Sequence, residues 1–483
     1  MDPQPLHSKW QSLPRGEVRR LQAIKLRHYL RGAVLPFSPH YRALFRKERL
    51  SAESFRTLKD FQKLPFTSKA DLLEPEAVKN FVLTPDTAVL ARRPSTLLHA
   101  LFRGSAAVRR GFEREFRPLM MTGTTGRSAD PVPFLFTQHD LENLGVAGAR
   151  GLGIYNTPRD FRIINLFPYA PHLAFWQCHY AASAYGVFSI GSGGGKVLGA
   201  AGNVRLLRKI NPNALAGMPT FIYHVLTQAV EEGVRCENLA MIILGGEKAP
   251  AGMRKKLRAL ADQLGSPNIS VVLTYGLTEA KMAWTECAEG SGYHLYPDLV
   301  LMEIVDPLTG AALPEGSPGE LVLTPLDARG TVVLRYRTGD IINGGLFYEK
   351  CPHCGRTMPR LVGEIARNSD VKEMQLDKLK GTLVNFNELA HVLDNAEHVG
   401  AWQLEIRKVR DDPLELDELI LHVSKLDGVA EDRLARQLNE RFAERTELRV
   451  NRVAFHTEEE IRGLQGVGTA LKEQLIVDHR PKP

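Results

Sequence analysis

The stretch ISVVLTYGLTEA, residues 269–280, begins as a strand and ends as something else. Its first five residues are β-branched or aliphatic apart from one serine, the composition of a buried strand. A tyrosine, a glycine, a threonine and a glutamate follow within the next six residues. A polar cluster at the carboxyl end of an apolar strand is where open α/β sheets place their ligands. Working outward, further short apolar runs precede it: FRIINLF (161–167), NALAGMP (213–219) and AMIILGG (240–246), with helix-length segments between. Strands alternating with helices predict a mostly parallel sheet wound with helices, extending over about residues 115–340.

Downstream the pattern changes. LMEIVDPLTGAALPEGSPGELVLTPL reads as strand, Gly/Pro turns and strand, which predicts a β-rich antiparallel section. The last hundred residues read as a separate α+β unit. FNELAHVLD and AEDRLARQLNERFAERT are helical, the latter with Leu434, Leu438 and Phe442 on one face. AWQLEIRKV, ELILHVSKL and LRVNRVAF are strands, the last taken as final, and the glycine-containing tail GLQGVGTALKEQLIVDHR reads as a mobile loop. At the other end, EVRRLQAIKLRHYL reads as a helix with Val18, Leu21 and Ile24 or Leu26 inward, and Thr67 or Ser68 caps a short helix holding Asp71. The chain has 483 residues, too many for one core. The fold class expected is therefore α/β, α+β overall: a large domain over 1–367 with helix-flanked, mostly parallel sheets and a β-rich section, and a small mobile α+β domain over 368–483.

The totals narrow the function. The longest apolar runs fall far short of the roughly 20 residues of a membrane span, and MDPQPLHSKW lacks the layout of a signal peptide, so a cytoplasmic protein is expected. Net charge is +7, mild enough to suit polyanionic small molecules, and the basic residues form no aromatic-interleaved stripe of the kind that binds nucleic acid. The five cysteines are too few and scattered for a disulfide framework.

Three segments carry chemistry. LMMTGTTGRSADPV (119–132) contains Thr122, Gly123, Thr124, Thr125, Gly126 and Arg127. Its glycines are too close together for a Walker A loop, but glycine amides, threonine hydroxyls and a guanidinium suit a phosphate; the alternative is a plain polar turn. The 273–280 segment adds Tyr275, Gly276, Thr278 and Glu279, and RYRTGD (335–340) adds Asp340 after a Thr-Gly turn. Cys287, His294 and the Cys351-x₂-Cys354 pair form a plausible tetrahedral Zn²⁺ set. A buried cysteine pair, His353 in place of His294, or a redox pair are the alternatives. Four protein ligands would leave no open position, so such a metal would be structural.

In this order, PHYRALF, LPFTSKADL, TGTTGRS, YGLTE, PGELVLTPL, LRYRTGD, CGRTMPRL and VDHR resemble the adenylate-forming superfamily of acyl- and aryl-CoA ligases, peptide-synthetase adenylation domains and luciferases, and within it the phenylacetate–CoA ligase branch. The resemblance covers nearly the whole chain. It implies that the loop from Thr122 to Gly126, with Arg127, holds the β- and γ-phosphates of ATP. Tyr275 lies near adenine with Gly276 beside it, Thr278 meets the α-phosphate, Glu279 holds Mg²⁺, and Asp340 accepts the ribose hydroxyls. Gly245, Gly246 and Glu247, in LGGEKAP, line the nucleotide pocket. Arg367 contacts ribose and Lys472 bridges to the α-phosphate during adenylation. Tyr169, His172, Phe175 and Trp176, the GSGGGK turn (191–196) and Gly217 to Thr220 are expected around the acyl substrate.

Met121 stands where the family has a small hydroxyl residue, Ser128 where it has proline, and Ala366 where it has glycine. The segment 367–393 is longer and more charged than the family's hinge, and the tail lacks its Gly-Lys pair. The implied activity is ATP-dependent, AMP-forming ligation of an aromatic or apolar carboxylic acid to CoA; a carrier-protein or other protein thiol is the alternative acceptor. A non-catalytic nucleotide- or zinc-binding scaffold is the reading from another class. A homodimer is compatible with the family, and neither nucleic acid nor a membrane span is expected.

Overall fold

The computed structural model describes residues 9–74, 77–124, 132–169, 172–367, 377–379, 382–384, 390, 392–409, 417–446, 449–467 and 473–480. The chain forms two compact units. The first comprises 1–161, 169–189 and 272–366, the second 162–168, 190–271 and 367–483.

The strands of the first unit pair antiparallel. Met282–Thr285 pairs with Thr274–Leu277 of the opening motif, and the ladder continues through Tyr293–His294, Arg360–Val362 and Gly345–Phe347. The predicted hairpin forms as read: Val300–Val305 pairs antiparallel with Gly319–Pro325, which pairs in turn with Tyr336–Ile342. Aliphatic and aromatic side chains from these strands and from the N-terminal helices share one core, including Phe37, Tyr41, Phe134, Trp284 and Tyr336. The N-terminal helix Arg15–Tyr29 buries Val18 and Leu26 as expected, but the residues between them that go inward are Gln22 and Ala23. Leu21 and Ile24 are only half-buried. The Gln22 amide is tolerated because its Nδ-equivalent, Nε2, donates to the carbonyls of Pro297 and Val300. Ser68 caps Lys69–Leu73, with Asp71 returning the capping box.

One carboxylate organises this unit. Asp140 sits in the first turn of the helix Gln138–Ile154 and is 2% exposed. It accepts from the backbone amides of Thr137, Arg329 and Gly330 and from Lys281 Nζ, the last at 2.8 Å. Lys281 is itself 3% exposed and also donates to the Leu135 carbonyl. Burial alone would raise the Asp140 pKa; the Lys281 ammonium and the converging donors outweigh it and hold the carboxyl below its ordinary value. Gly330 is required beside it, because a Cβ there would lie 2.0 Å from the Leu135 carbonyl oxygen.

The second unit holds the parallel strands Arg162–Asn165, Ala214–Gly217 and Met241–Leu244. Helices Gly195–Ile210, Pro219–Glu231 and Ala251–Gln263 connect or follow them, as the alternation predicts. Its C-terminal part is a four-stranded sheet in the order Arg452–His456, Asp417–Lys425, Val399–Lys408, Ile476–Asp478. The helix Glu431–Thr446 packs there through Leu434, Leu438 and Phe442, each nearly inaccessible. Two expectations are corrected. The strand Arg452–His456 is not the last, because Ile476–Asp478 pairs in parallel with Leu404–Ile406. The tail taken as a mobile loop is therefore ordered at that strand, and the helix Glu458–Leu464, capped by Thr457, runs only into its first two residues. A sheet edge with unpaired amides and carbonyls gives a three-residue strand a place that periodicity cannot reveal. Most of the FNELAHVLD segment lies outside the described residues.

Within this unit the helix Pro219–Glu231 meets the C-terminal part. His224, fully buried, has Nε2 2.8 Å from Gln465 Oε1 and Nδ1 3.4 Å from Glu458 Oε1. Lys256 donates to the Gly400 carbonyl at 2.9 Å, and a Cβ on Gly252 would lie 2.2 Å from the Asp394 carbonyl oxygen.

Asp140→Ala should lower the unfolding free energy by about 3–5 kcal/mol, because it leaves the Lys281 ammonium buried and unpaired. Urea denaturation of both proteins measures this. The gap should narrow in acid: a carboxylate with a depressed pKa stabilises fully above its unfolded pKa, and that contribution is lost as pH falls through the folded value.

Candidate active site

In the first unit, the turn after the opening strand and the strand Tyr336–Ile342 bring four of the site's side chains into two bonded pairs. The Tyr275 hydroxyl donates to Asp340 Oδ2 at 2.5 Å. The Tyr336 hydroxyl donates to Glu279 Oε1 at 3.3 Å. Asp340 is 2% exposed, and its backbone amide is held by Thr338 Oγ1 at 3.0 Å. Alternation explains the placement: Tyr336, Thr338, Asp340 and Ile342 all point to the buried side of their strand. Gly339, with φ of +73°, provides the backbone bend between Thr338 and Asp340.

Glu279 and Thr278 lie in a single 3₁₀ turn, Thr278–Ala280, and the next residue, Lys281, is left-handed with φ of +59°. A lysine adopts that conformation only where the surroundings dictate it. Here the Lys281–Asp140 pair does so, which fixes the backbone two residues after Glu279. The Tyr275 ring is flanked by Trp284 and Tyr293, at 5.8 and 5.7 Å between centroids. Gly276 keeps its strand close to the next one, since a Cβ there would stand 3.2 Å from the Ala283 Cβ.

In the same unit Thr122 and Gly123 end a strand of an antiparallel pair. Pro118–Gly123 pairs with Pro133–Thr137, and Thr124 and Val132 close its neck through two 3.1 Å bonds. Thr122 is fully buried, and its hydroxyl has no hydrogen-bond partner among the described residues. Thr125, Gly126 and Arg127 lie outside the described residues, as does Lys472.

In the second unit, the Gly245-Gly246-Glu247 turn follows the parallel strand Met241–Leu244. Gly245 donates to the Gly217 carbonyl at 3.2 Å, and Gly246 takes φ of +81°. Glu247 Oε2 accepts from the Thr220 hydroxyl at 2.8 Å, at the start of the helix Pro219–Glu231. A carboxylate there complements the helix dipole and caps a free amide end. Arg367 ends the short strand Ile365–Arg367. Tyr169 and Phe175 of the first unit pack edge to face at 4.5 Å, and Phe175 meets Trp176 at 5.2 Å.

Cys287, His294, Cys351 and Cys354 come together in the first unit, their four ligand atoms all within 4.8 Å of one another. Cys287 Sγ is 3.7 Å from Cys351 Sγ, and Cys354 Sγ is 3.6 Å from His294 Nε2. Sulfurs of a tetrahedral site with 2.3 Å bonds stand about 3.8 Å apart. The local chain explains the convergence. Tyr293–His294 pairs with Arg360–Leu361, and the Cys351–Gly355 turn closes on its own backbone. His353 is exposed and outside the set, so His294 is the histidine of the group. Burial first, then the charges of Arg360 and Arg356, push the His294 pKa down to about 3, so its imidazole is neutral. Burial pushes Cys287 up to about 12, with the neighbouring thiols adding to it. Three crowded sulfurs and a neutral imidazole in a half-buried pocket are a donor set that a soft dication fits.

Two contributors escaped the sequence reading. Tyr336 is visible in hindsight as the aromatic at i−4 from Asp340 on one strand face. The Asp140–Lys281 pair had no signal, because its members are 141 residues apart.

Residues 140–325 match the family model described as AMP-binding enzyme. The chain is 29% identical over 420 residues to the phenylacetate–coenzyme A ligase of Thermus thermophilus, covering 86% of this chain and 83% of that protein. It is 26% identical over 401 residues to the Escherichia coli enzyme of the same name, covering 81% and 80%. Among solved structures, 2-hydroxyisobutyryl-CoA ligase in its postadenylation state, in complex with 2-HIB-AMP, superposes with a TM-score of 0.74 at 19% identity, over 98% of this chain and 92% of that one.

Proposed function

We propose that this chain, a member of the adenylate-forming enzyme superfamily, is an ATP-dependent, AMP-forming ligase that joins a carboxylic acid to CoA through an acyl-adenylate. The observation that carries the reading is the similarity to phenylacetate–CoA ligases over 86% of the chain, together with the two bonded pairs Tyr275–Asp340 and Tyr336–Glu279. An aromatic or apolar acid is the substrate class we assign, by analogy with those relatives. The scaffold reading is disfavoured because the polar residues an adenylating enzyme needs are all present. We place the activity in the cytoplasm, where ATP and CoA are available.

The residue roles follow from charge. A carboxylate oxygen attacks the α-phosphorus of ATP and pyrophosphate departs; both reactants are anionic, so catalysis is mainly positioning and neutralisation. Thr122, Gly123, Thr124, Thr125, Gly126 and Arg127 are assigned to the phosphates; the unpartnered, buried Thr122 hydroxyl supports this. Asp340 is assigned to the ribose hydroxyls and Tyr275 to the adenine side. Thr278 is assigned to the α-phosphate, and the Gly245–Glu247 turn to the nucleotide. Glu279, held by Tyr336, would ligate Mg²⁺, which when bound neutralises charge on the phosphates. In the second half-reaction the CoA thiolate attacks the adenylate carbonyl and AMP leaves. Lys472 is assigned to the first half-reaction alone, carried by a small domain, 368–483, that turns between steps. Such a turn would break the His224–Gln465 and Lys256–Gly400 contacts.

We also assign one structural Zn²⁺ to Cys287, His294, Cys351 and Cys354. The ion would staple the turn at Cys351 to the strand at His294 and supply no open coordination position.

Three outcomes test these assignments. Wild-type protein should catalyse ATP–pyrophosphate exchange with phenylacetate or another member of a panel of apolar acids. Asp340→Ala should weaken ATP binding by about 1–3 kcal/mol in a calorimetric titration, the cost of leaving buried ribose hydroxyls unpaired. Unchanged ATP affinity removes Asp340 from the site. Elemental analysis of chelator-washed protein should find one zinc per chain. Cys351→Ser should lose it and lower the melting temperature; a metal-free wild type with freely alkylated cysteines excludes the site.

A further inference from the structure

The helix Pro94–Arg103 has its amphipathic faces reversed for a protein surrounded only by water. At 100° per residue, Leu97, Leu98, Leu101 and Phe102 fall within one arc of about 140°. That arc faces outward: the four are 56, 53, 78 and 80% exposed. The half-buried residues are Thr96 and Ala100, on the opposite side, and no residue of the helix is fully buried. The orientation is anchored rather than loose. Arg93, just before the helix, donates to the Gly32 carbonyl at 3.1 Å and lies over the Phe37 ring at 4.9 Å. Gly104, with φ of +80°, turns the chain into a second helix, Ser105–Phe116. Phe116 fixes that helix, buried edge to face against Phe37 at 5.2 Å.

The same hairpin carries most of the chain's net charge. Residues 92–117 contain seven arginines and two glutamates, a net +5 out of the chain's +7. Arg92, Arg103, Arg110 and Arg117 are exposed and pair with no carboxylate among the described residues. An outward apolar arc bordered by unpaired arginines is the composition of a helix lying in the surface of an anionic bilayer. No described helix is long and apolar enough to cross a membrane, so the contact would be peripheral.

We propose that the hairpin 94–116 attaches the protein to anionic phospholipid membranes, with Leu97, Leu98, Leu101 and Phe102 entering the boundary between headgroups and acyl chains and the arginines meeting lipid phosphates. A second copy of the chain is the poorer occupant. A two-fold interface sets a patch against itself, and this one would set its arginines against their own copies. An acidic protein would satisfy the charge, but side chains four-fifths exposed are knobs that need a matching hole, whereas a fluid bilayer accepts any shape. The inference is independent of the proposed catalytic activity.

Sedimentation of the full chain with vesicles tests it. Wild type should bind vesicles of mixed phosphatidylcholine and phosphatidylglycerol, bind pure phosphatidylcholine far less, and dissociate as salt rises. The double variant Leu101→Ser/Phe102→Ser should lose at least about tenfold in affinity for the mixed vesicles. Arg103→Glu/Arg110→Glu should remove the preference for anionic lipid. All altered residues are exposed, and unchanged thermal melts would confirm that both variants fold. Failure of wild type to bind the mixed vesicles, or equal binding by the serine variant, overturns the proposal. A wild-type dimer that the serine variant converts to monomer in analytical ultracentrifugation overturns it too, and assigns the face to a second copy. Binding to an acidic carrier protein but not to vesicles assigns it to a protein.

Discussion

One buried ion pair holds the polar turn of the first unit in place. Asp140 collects three backbone amides and the Lys281 ammonium, and in doing so joins the start of a long helix, the Arg329–Gly330 turn and the residue that follows the Thr278–Ala280 turn. Two charges taken out of water would be unfavourable alone; the full set of partners makes the arrangement tolerable and rigid. Its product is a lysine in a left-handed conformation two residues after Glu279. The polar turn is thereby fixed in the backbone, and Glu279 within it accepts from the Tyr336 hydroxyl.

The zinc-type cluster has a similar relation to the strands below it. Cys351 and Cys354 lie in a turn with few apolar residues of its own, CPHCG, which hydrophobic burial holds poorly. A tetrahedral ion can supply what the sequence lacks there. Three close sulfurs and a neutral imidazole are the donor chemistry that a soft dication takes.

How much of this was legible in the sequence varied with the physical signal. The strand–helix alternation over 161–277 was legible because buried parallel strands are unbroken apolar runs, and the hairpin at 300–325 because Gly/Pro turns separate two such runs. The face of the helix Glu431–Thr446 was legible from a clean period of four. Leu21 was expected inward where Gln22 goes instead, because the Gln22 amide is buried by a backbone partner that lies 275 residues away. The strand Ile476–Asp478 was missed because a three-residue run has no measurable period and its partner is an edge elsewhere. For the site, motif residues such as Tyr275, Glu279 and Asp340 were legible by their order along the chain, and the metal-type set by ligand chemistry. Tyr336 and the Asp140–Lys281 pair, which position them, were not, since positioning contacts have no motif.

The central claim is that the acid is activated as an adenylate. Oxygen tracing tests it most directly. Phenylacetate labelled with ¹⁸O in both carboxylate oxygens would be incubated with the protein, ATP, Mg²⁺ and CoA, and the nucleotide product analysed by mass spectrometry. Attack of a carboxylate oxygen on the α-phosphorus, followed by loss of the adenylate to the thiol, leaves one labelled oxygen in AMP. Label in AMP, with pyrophosphate as the other product, is the predicted result. Formation of ADP, or thioester formation with unlabelled AMP, would contradict the account.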